Sequence, residues 1–151
     1  MSSRSNARIA ALVVSLVVLG GCGKSPPASS ADQAKFQGDW YITSVQDSGN
    51  EDTKTAMHFA FAGDQAISWT KDRTKPEFSA EFRLDPSKSP KWLDFNLPDG
   101  RTHRGIYEFE GDELRLCFSE KSQSAADRST EFKSEPKSHN DVLLVLRRKR
   151  S

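Results

Sequence analysis

Glu77-Phe78-Ser79-Ala80-Glu81-Phe82-Arg83-Leu84 alternates polar and apolar residues without a break. Successive side chains of a strand point to opposite faces, so a period of two buries Phe78, Ala80, Phe82 and Leu84. The same period leaves Glu77, Ser79, Glu81 and Arg83 facing water. A helix would need its apolar residues three and four apart, and this stretch offers none of that spacing. Asp85-Pro86 ends the strand, because proline lacks the N–H that a ladder requires.

Similar segments extend on both sides. Upstream, Trp40, Ile42 and Ser44 share one face, and Met57, Phe59 and Phe61 alternate with His58, Ala60 and Ala62. Gly63-Asp64 turns the chain, and Ile67 and Trp69 continue into the next strand. Downstream, Pro90 precedes Trp92-Leu93-Asp94-Phe95-Asn96-Leu97, and Asp99-Gly100 is a strong hairpin signal. Tyr107 and Phe109 follow, Gly111-Asp112 turns, and Leu114, Leu116 and Phe118 alternate with Arg115 and Cys117. The polar stretch from Ser119 to Asp141 is too long for a tight turn, with Thr130-Glu131-Phe132 a candidate for brief pairing inside it. Val142 to Lys149 closes the domain. About eight strands with short connections and no obvious helix predict an all-β antiparallel meander. Such a sheet loses its exposed edges most simply by closing into a small barrel; a two-sheet β-sandwich is the alternative. The aromatic residues expected to face inward, as core or as ligand-facing groups, are Phe59, Phe61, Trp69, Phe78, Phe82, Phe95, Tyr107, Phe109 and Phe118.

The N-terminus has a different composition. Arg4 and Arg8 precede an apolar run from Ile9 to Leu19, and no acidic residue appears before Asp32. Charge, a short apolar stretch and small residues at a cut site are the layout of an export signal. The run falls short of the roughly 20 apolar residues that span a bilayer. Leu19-Gly20-Gly21-Cys22 resembles the lipobox of bacterial lipoproteins, which implies cleavage between Gly21 and Cys22 and a lipid on the Cys22 thiol. Residues 1–21 are therefore expected to be a signal peptide and 22–34 a lipidated N-terminus with a flexible Ser/Pro/Ala tether. Residues 35–151 form the expected barrel domain. Gly23 stands where an aspartate would signal inner-membrane retention, which favours an outer-membrane or periplasm-facing location in the cell envelope.

Gly38-Asp39-Trp40 resembles the Gly-X-Trp fingerprint of lipocalin-like barrels. That resemblance implies that Trp40 plugs one barrel end under an arginine of the last strand, Arg147 or Arg148. Further pieces are similar to a family of uncharacterised lipocalin-like bacterial domains abundant in planctomycetes. They are Phe36-Gln-Gly-Asp-Trp, Arg83-Leu-Asp-Pro-Ser-Lys-Ser-Pro-Lys, Gly105-Ile-Tyr-Glu-Phe-Glu-Gly-Asp-Glu-Leu-Arg-Leu-Cys, Thr130-Glu-Phe and Val142-Leu-Leu-Val-Leu-Arg-Arg. Ser129 departs from the proline usual in that family. The family carries no established activity, so the resemblance implies a fold and no chemistry.

Composition narrows function further. Removing Arg4 and Arg8 from the 22 Lys and Arg leaves 20 basic residues against 21 acidic ones. Nothing in that balance suggests a nucleic-acid partner, which would require a basic face; Arg147-Arg148-Lys149-Arg150 reads as a solvated strand end. With Cys22 lipidated, Cys117 has no disulfide partner and is expected to pack as a small apolar residue. His58, His103 and His139 lie far apart in sequence and show no metal-ligand spacing. A haem-holding barrel would need an inward histidine, and only His103 shares the Tyr107/Phe109 face; a hydrogen-bonded strand-end role is the expectation for it. Asp94 reads as an alternation partner. The expectation is a membrane-anchored, non-enzymatic protein without cofactor that binds a small apolar ligand or envelope component. The alternative is a filled barrel that docks on another envelope protein, motivated by the long Ser119–Asp141 loop.

Overall fold

The computed structural model describes residues 28–53, 57–70, 74–121, 124–135 and 141–149. The expected signal peptide, Gly21, Cys22, the first part of the tether, His139 and Arg150 lie outside them. One helix, α1 (Ala28–Phe36), precedes nine strands. These are β1 (Gly38–Asp47), β2 (Asn50–Asp52), β3 (His58–Ala62), β4 (Gln65–Trp69) and β5 (Pro76–Asp85), then β6 (Lys91–Asn96), β7 (Thr102–Glu110), β8 (Glu113–Ser119) and β9 (Asp141–Arg148). From β3 to β9 each strand pairs antiparallel with the next, and β1 pairs with both β3 and β9. The sheet therefore closes into an eight-stranded barrel of lipocalin-like type, with β2 an added ribbon beside β1. Closure decides against the sandwich.

The chain enters at one end of this barrel, which α1 seals. A tether was expected up to residue 34, yet Ala28–Phe36 is helical, with Asp32 and Phe36 buried. Residues four apart share a helix face, so Asp32 and Phe36 turn toward the barrel together. The Phe36 ring packs edge-on against Phe61 (4.9 Å between centroids), Tyr107 (5.1 Å) and Phe109 (5.2 Å). The Asp32 carboxylate accepts hydrogen bonds from the Tyr107 hydroxyl and the Lys91 ammonium, each at 2.7 Å. Gln37 and Gln33 both donate to the Gly63 carbonyl in the β3–β4 turn, fixing the helix to the wall.

Gly38 makes the turn from helix to first strand, at a φ of 109° that L side chains rarely adopt. Trp40 then points inward, only 2 % exposed, and its indole N–H donates to the Phe36 carbonyl at 2.7 Å. Arg148, not Arg147, completes the arrangement. Its guanidinium lies 4.5 Å from the Trp40 ring and donates to the carbonyls of Lys35 (2.6 Å) and Gln37 (2.9 Å). Those carbonyls end the helix and have no partner within it, so a cation there is favoured by charge as well as by hydrogen bonding. Arg147 is one residue out of phase, and pairs on the outside with Glu113 at 3.4 Å.

Two faces differ from the sequence expectation. A register irregularity between Ile42 and Ser44 inserts an extra residue opposite β9. It reverses the alternation, so Val45 packs on the core while Ser44 bonds to Glu51 outside. On β4, Ala66 and Ser68 face inward, opposite Phe61 and Phe59, which leaves Ile67 and Trp69 on the outer face. The narrow interior is crowded by phenylalanine rings from β3, β5 and β6, and small residues fit between them.

The described residues between Ser119 and Asp141 form no strand. Ser124 caps a short 3₁₀ turn (Ala125–Asp127), and the following residues lie along the outer wall. There Ile106, Cys117 and Leu143 form a small second core covered by Phe132. Arg128 spans the wall as well, 4.2 Å from the Trp92 ring, 2.6 Å from Asp94 and 2.8 Å from the Gly105 carbonyl. Asp94 thus has an exterior structural role. Among the described residues no helix is long and apolar enough to cross a membrane.

The two arginines make a controlled comparison. Arg148→Ala is expected to lower unfolding stability by about 1–2 kcal/mol, through loss of the ring contact and two charge-assisted hydrogen bonds. Arg147→Ala should stay within about 0.5 kcal/mol of the parent. Urea denaturation of both variants checks this, and equal effects would remove Arg148 from its special role.

Candidate functional site

The barrel's two ends are filled differently. At the sealed end Phe36, Trp40, Phe61, Phe82, Tyr107 and Leu146 are all at most 2 % exposed and leave no room for a ligand. At the opposite end a cavity of about 310 Å³ opens between the strands. Its apolar wall comes from Ile42, Val45, Met57, Phe59, Phe78 and Phe118, with Val142 and Leu144 on the last strand. Ser68, Asp47, Glu77, Glu120 and His103 supply the polar groups.

Local sequence explains the hollow. The β1 irregularity brings Val45 to the wall and Asp47 to the exposed rim in place of Ser44 and Gln46. Ser68 occupies the β4 position opposite Phe59, where a large residue would close the space.

His103 is the unusual member. It is 7 % exposed, and its ring stacks near Phe118 (6.0 Å between centroids) with Phe78 at 6.4 Å. Neither Nδ1 nor Nε2 has a hydrogen-bond partner among the described residues. A hydrogen-bonded strand end was expected, and the structure instead holds the imidazole unsatisfied in an aromatic cleft. Leaving a buried polar group unpaired costs about 1–3 kcal/mol. Burial, with the Arg101 charge adding to it and Asp99 opposing, holds the imidazole below its ordinary pKa.

The rim is acidic. Asp47, Glu77 and Glu120 line the mouth, and no Lys or Arg is among the described lining residues. The β7–β8 ladder ends with Arg104 paired to Ser119, the residues that follow His103 and precede Glu120. Loss of hydration and the nearby Asp47 charge hold the Glu120 carboxyl above its usual range, while Arg101 pulls the other way.

The aromatic residues expected to face a ligand therefore divide. Phe59, with Phe78 and Phe118, lines the mouth, whereas Phe61, Phe82 and Tyr107 belong to the sealed core. Phe109 is half-buried against Phe36 and Trp40 at the sealed end. Trp69 lies outside. The acidic rim and Met57 were not singled out from the sequence. Alternation shows which residues share a face, but not which strand ends meet around an opening.

Other groups have structural explanations. Asp32 is pushed up by burial, but hydrogen bonds from Lys91 and Tyr107 and the charges of Lys91 and Lys35 prevail and hold it below the ordinary carboxylate range. Burial raises the Cys117 thiol to about 11, and it packs under the Ser119–Asp141 segment with its Sγ donating to the Lys133 carbonyl. Among the described residues no group of three or more His, Cys, Asp or Glu is arranged to hold a metal ion. Neither a protein-family model nor a curated protein sequence matches the chain.

The His103 environment sets a pH dependence. The unfolded imidazole takes a proton near pH 6.5, whereas the folded one resists it. The unfolded state therefore binds more protons, and stability falls as the pH drops below about 6.5 toward the folded value. Denaturation midpoints measured from pH 7.5 to 5 should decline in the parent and be flatter in His103→Phe. Identical slopes would show that the imidazole does not titrate on unfolding.

Proposed function

We propose that the chain is exported, lipidated at Cys22 and anchored in the cell envelope, where its barrel is a non-enzymatic binding module for a small, largely apolar molecule. The observation that carries the reading is the mouth itself: a cavity of about 310 Å³, lined mainly by apolar groups, above a core packed solid. Binding sites are commonly apolar hollows with a few placed polar groups. The cavity is about twice the ~150 Å³ of an engineered apolar cavity that accepts benzene, so a body of one or two rings suits it.

Anchoring and binding are compatible in space. Cys22 precedes Ala28 by six residues, a span of at most about 22 Å when extended. Helix α1 sits at the sealed end, so an anchor on Cys22 keeps that end near the bilayer and turns the mouth away from it. The chain also fits among the uncharacterised lipocalin-like domains that its motifs resemble. Docking on an envelope protein is the weaker reading, because the Ser119–Asp141 segment that motivated it is engaged in covering Ile106, Cys117 and Leu143.

Two experiments test the two halves. Cys22→Ser should abolish metabolic lipid labelling and leave the precursor uncut, and normal labelling of that variant would end the anchoring half. Native mass spectrometry of protein purified from its own host should show a retained small molecule. Ser68→Phe, which fills the cavity, should lose that mass while the fold survives; a bound mass unaffected by Ser68→Phe would place binding elsewhere.

A further inference from the structure

The outside of the sealed end carries a groove of about 360 Å³ between helix α1, the β5–β6 turn and the segment after β8. Half-buried Phe109 and Phe132 leave ring surface open to it, with Tyr107 beneath. Lys35, Lys88 and Lys91 surround that apolar floor, and the exposed Ser89 lies between the last two. The Lys35 and Lys91 ammonium groups stand 5.8 Å and 5.7 Å from the Phe109 and Tyr107 ring centres.

These charges are only partly matched. Lys91 and Lys35 share the single carboxylate of Asp32, at 2.7 and 3.7 Å. Glu108, the one acidic residue in the described lining, is paired with Arg115 at 2.7 Å. Lys88 stands 4.8 Å from the Trp92 ring, and Asp85, bonded to Ser87, offsets part of its charge. The chain that continues from α1 and β9 beyond the described residues, 22–27 and 150–151, adds Lys24 and Arg150 and no acidic residue. The groove keeps a surplus of positive charge around an apolar floor.

Position adds what charge alone does not, and this step rests on the anchoring reading above. Asp32, beside the groove, lies four residues into α1, a rise of about 6 Å from Ala28. An anchor on Cys22 therefore stays within about 28 Å of the groove. Of the anions that a tethered protein meets, the lipid phosphates of its own membrane are held closest to this site.

We propose that the groove seats the phosphate of an anionic phospholipid head group in the membrane that holds the anchor. The phosphate lies among Lys35, Lys88 and Lys91, and the Ser89 hydroxyl donates to one of its oxygens. The glycerol and first methylenes cover Phe109 and Phe132. Lysine ammoniums suit this role as point charges on flexible stems. A choline head group brings its own cation against the lysines and binds less well. The seated head group sets the rotation of the barrel about its anchor, which a single attachment point leaves free.

Amine acylation read by mass spectrometry tests this on the full chain in vesicles of phosphatidylcholine, alone or in equal parts with phosphatidylglycerol. Lys35, Lys88 and Lys91 should label at least about fivefold more slowly in the mixed vesicles, the scale of one lysine's attraction to an anionic surface. Lys149, at the same end but outside the groove, should slow by less than about twofold. Glycerol phosphate added to the phosphatidylcholine vesicles should not reproduce the protection. Lys35 and Lys88 are exposed, and in the double substitution Lys35→Gln with Lys88→Gln the remaining Lys91 should label alike in both vesicles. Equal labelling of the three lysines in both vesicles, or equal slowing of Lys149, would overturn the seated head group. Full protection by glycerol phosphate would make the groove a site for free phosphate and overturn the lipid source. The intact mass reports the lipid on Cys22 separately. Protection without that mass removes the anchoring reading and leaves the groove standing; the mass without protection does the reverse.

Discussion

The guanidinium of Arg148 ties together the sealed end of the barrel. Arg148 lies over Trp40 while donating to the carbonyls that end helix α1, in contacts spanning 111 and 113 residues of sequence. It joins the entry helix, the first strand and the last strand at one point. Closing so long a loop has an entropic cost that grows only slowly with length, so several interactions concentrated at the seam can offset it. The β1–β9 ladder supplies the remainder, and Trp40 pairs with Arg148 in that ladder too. The same pair of residues thus sets the register of closure and seals the end. Gly38 belongs to this unit because its backbone turn brings Trp40 under the guanidinium, and a side chain would need a strained φ.

Sealing one end with a helix concentrates the aromatic core there. Phe36 brings an extra ring from outside the sheet, and Phe61, Phe82 and Tyr107 pack around it. Among the described residues no helix covers the mouth. Its lining includes Ser68 and Val45, which leave space that rings would have filled. The satellite core under Phe132 adds packing to the wall from outside.

Much of this was legible in the sequence, in proportion to how local each signal is. The strand alternation around Phe82 and the Asp99-Gly100 turn gave the meander, and Gly38-Asp39-Trp40 marked the end that closes. Helix α1 was not legible, because Ala28-Ser-Ser-Ala-Asp-Gln-Ala-Lys-Phe shows almost no apolar stripe. What holds it is tertiary: one ring, one buried carboxylate and an arginine from the far end of the chain. Trp69 was misplaced because the crowded interior required small residues at Ala66 and Ser68, which overrides the usual inward preference of large apolar groups. Arg147 and Arg148 differ by one step of a period of two, and only the β1–β9 register decides between them. The acidic rim was hidden for a related reason, since Asp47 on β1, Glu77 on β5 and Glu120 just past β8 meet only in the closed barrel.

His103 bears on whether the mouth is a site or a packing defect. Replacing an unsatisfied buried imidazole by an apolar ring costs no hydrogen bond and removes a desolvation penalty. Ring stacking with Phe78 and Phe118 would be kept by phenylalanine, so packing alone does not explain a histidine there. The carboxylates raise the same question, because Asp47, Glu77 and Glu120 all line the one opening. A packing defect would be expected to be apolar and dry, like cavities left by truncated core residues. Here the empty space lies beside an unpaired imidazole and carries three carboxylates on its described rim. Polar groups kept at such local cost beside an opening are more readily understood as a site than as a fault of packing.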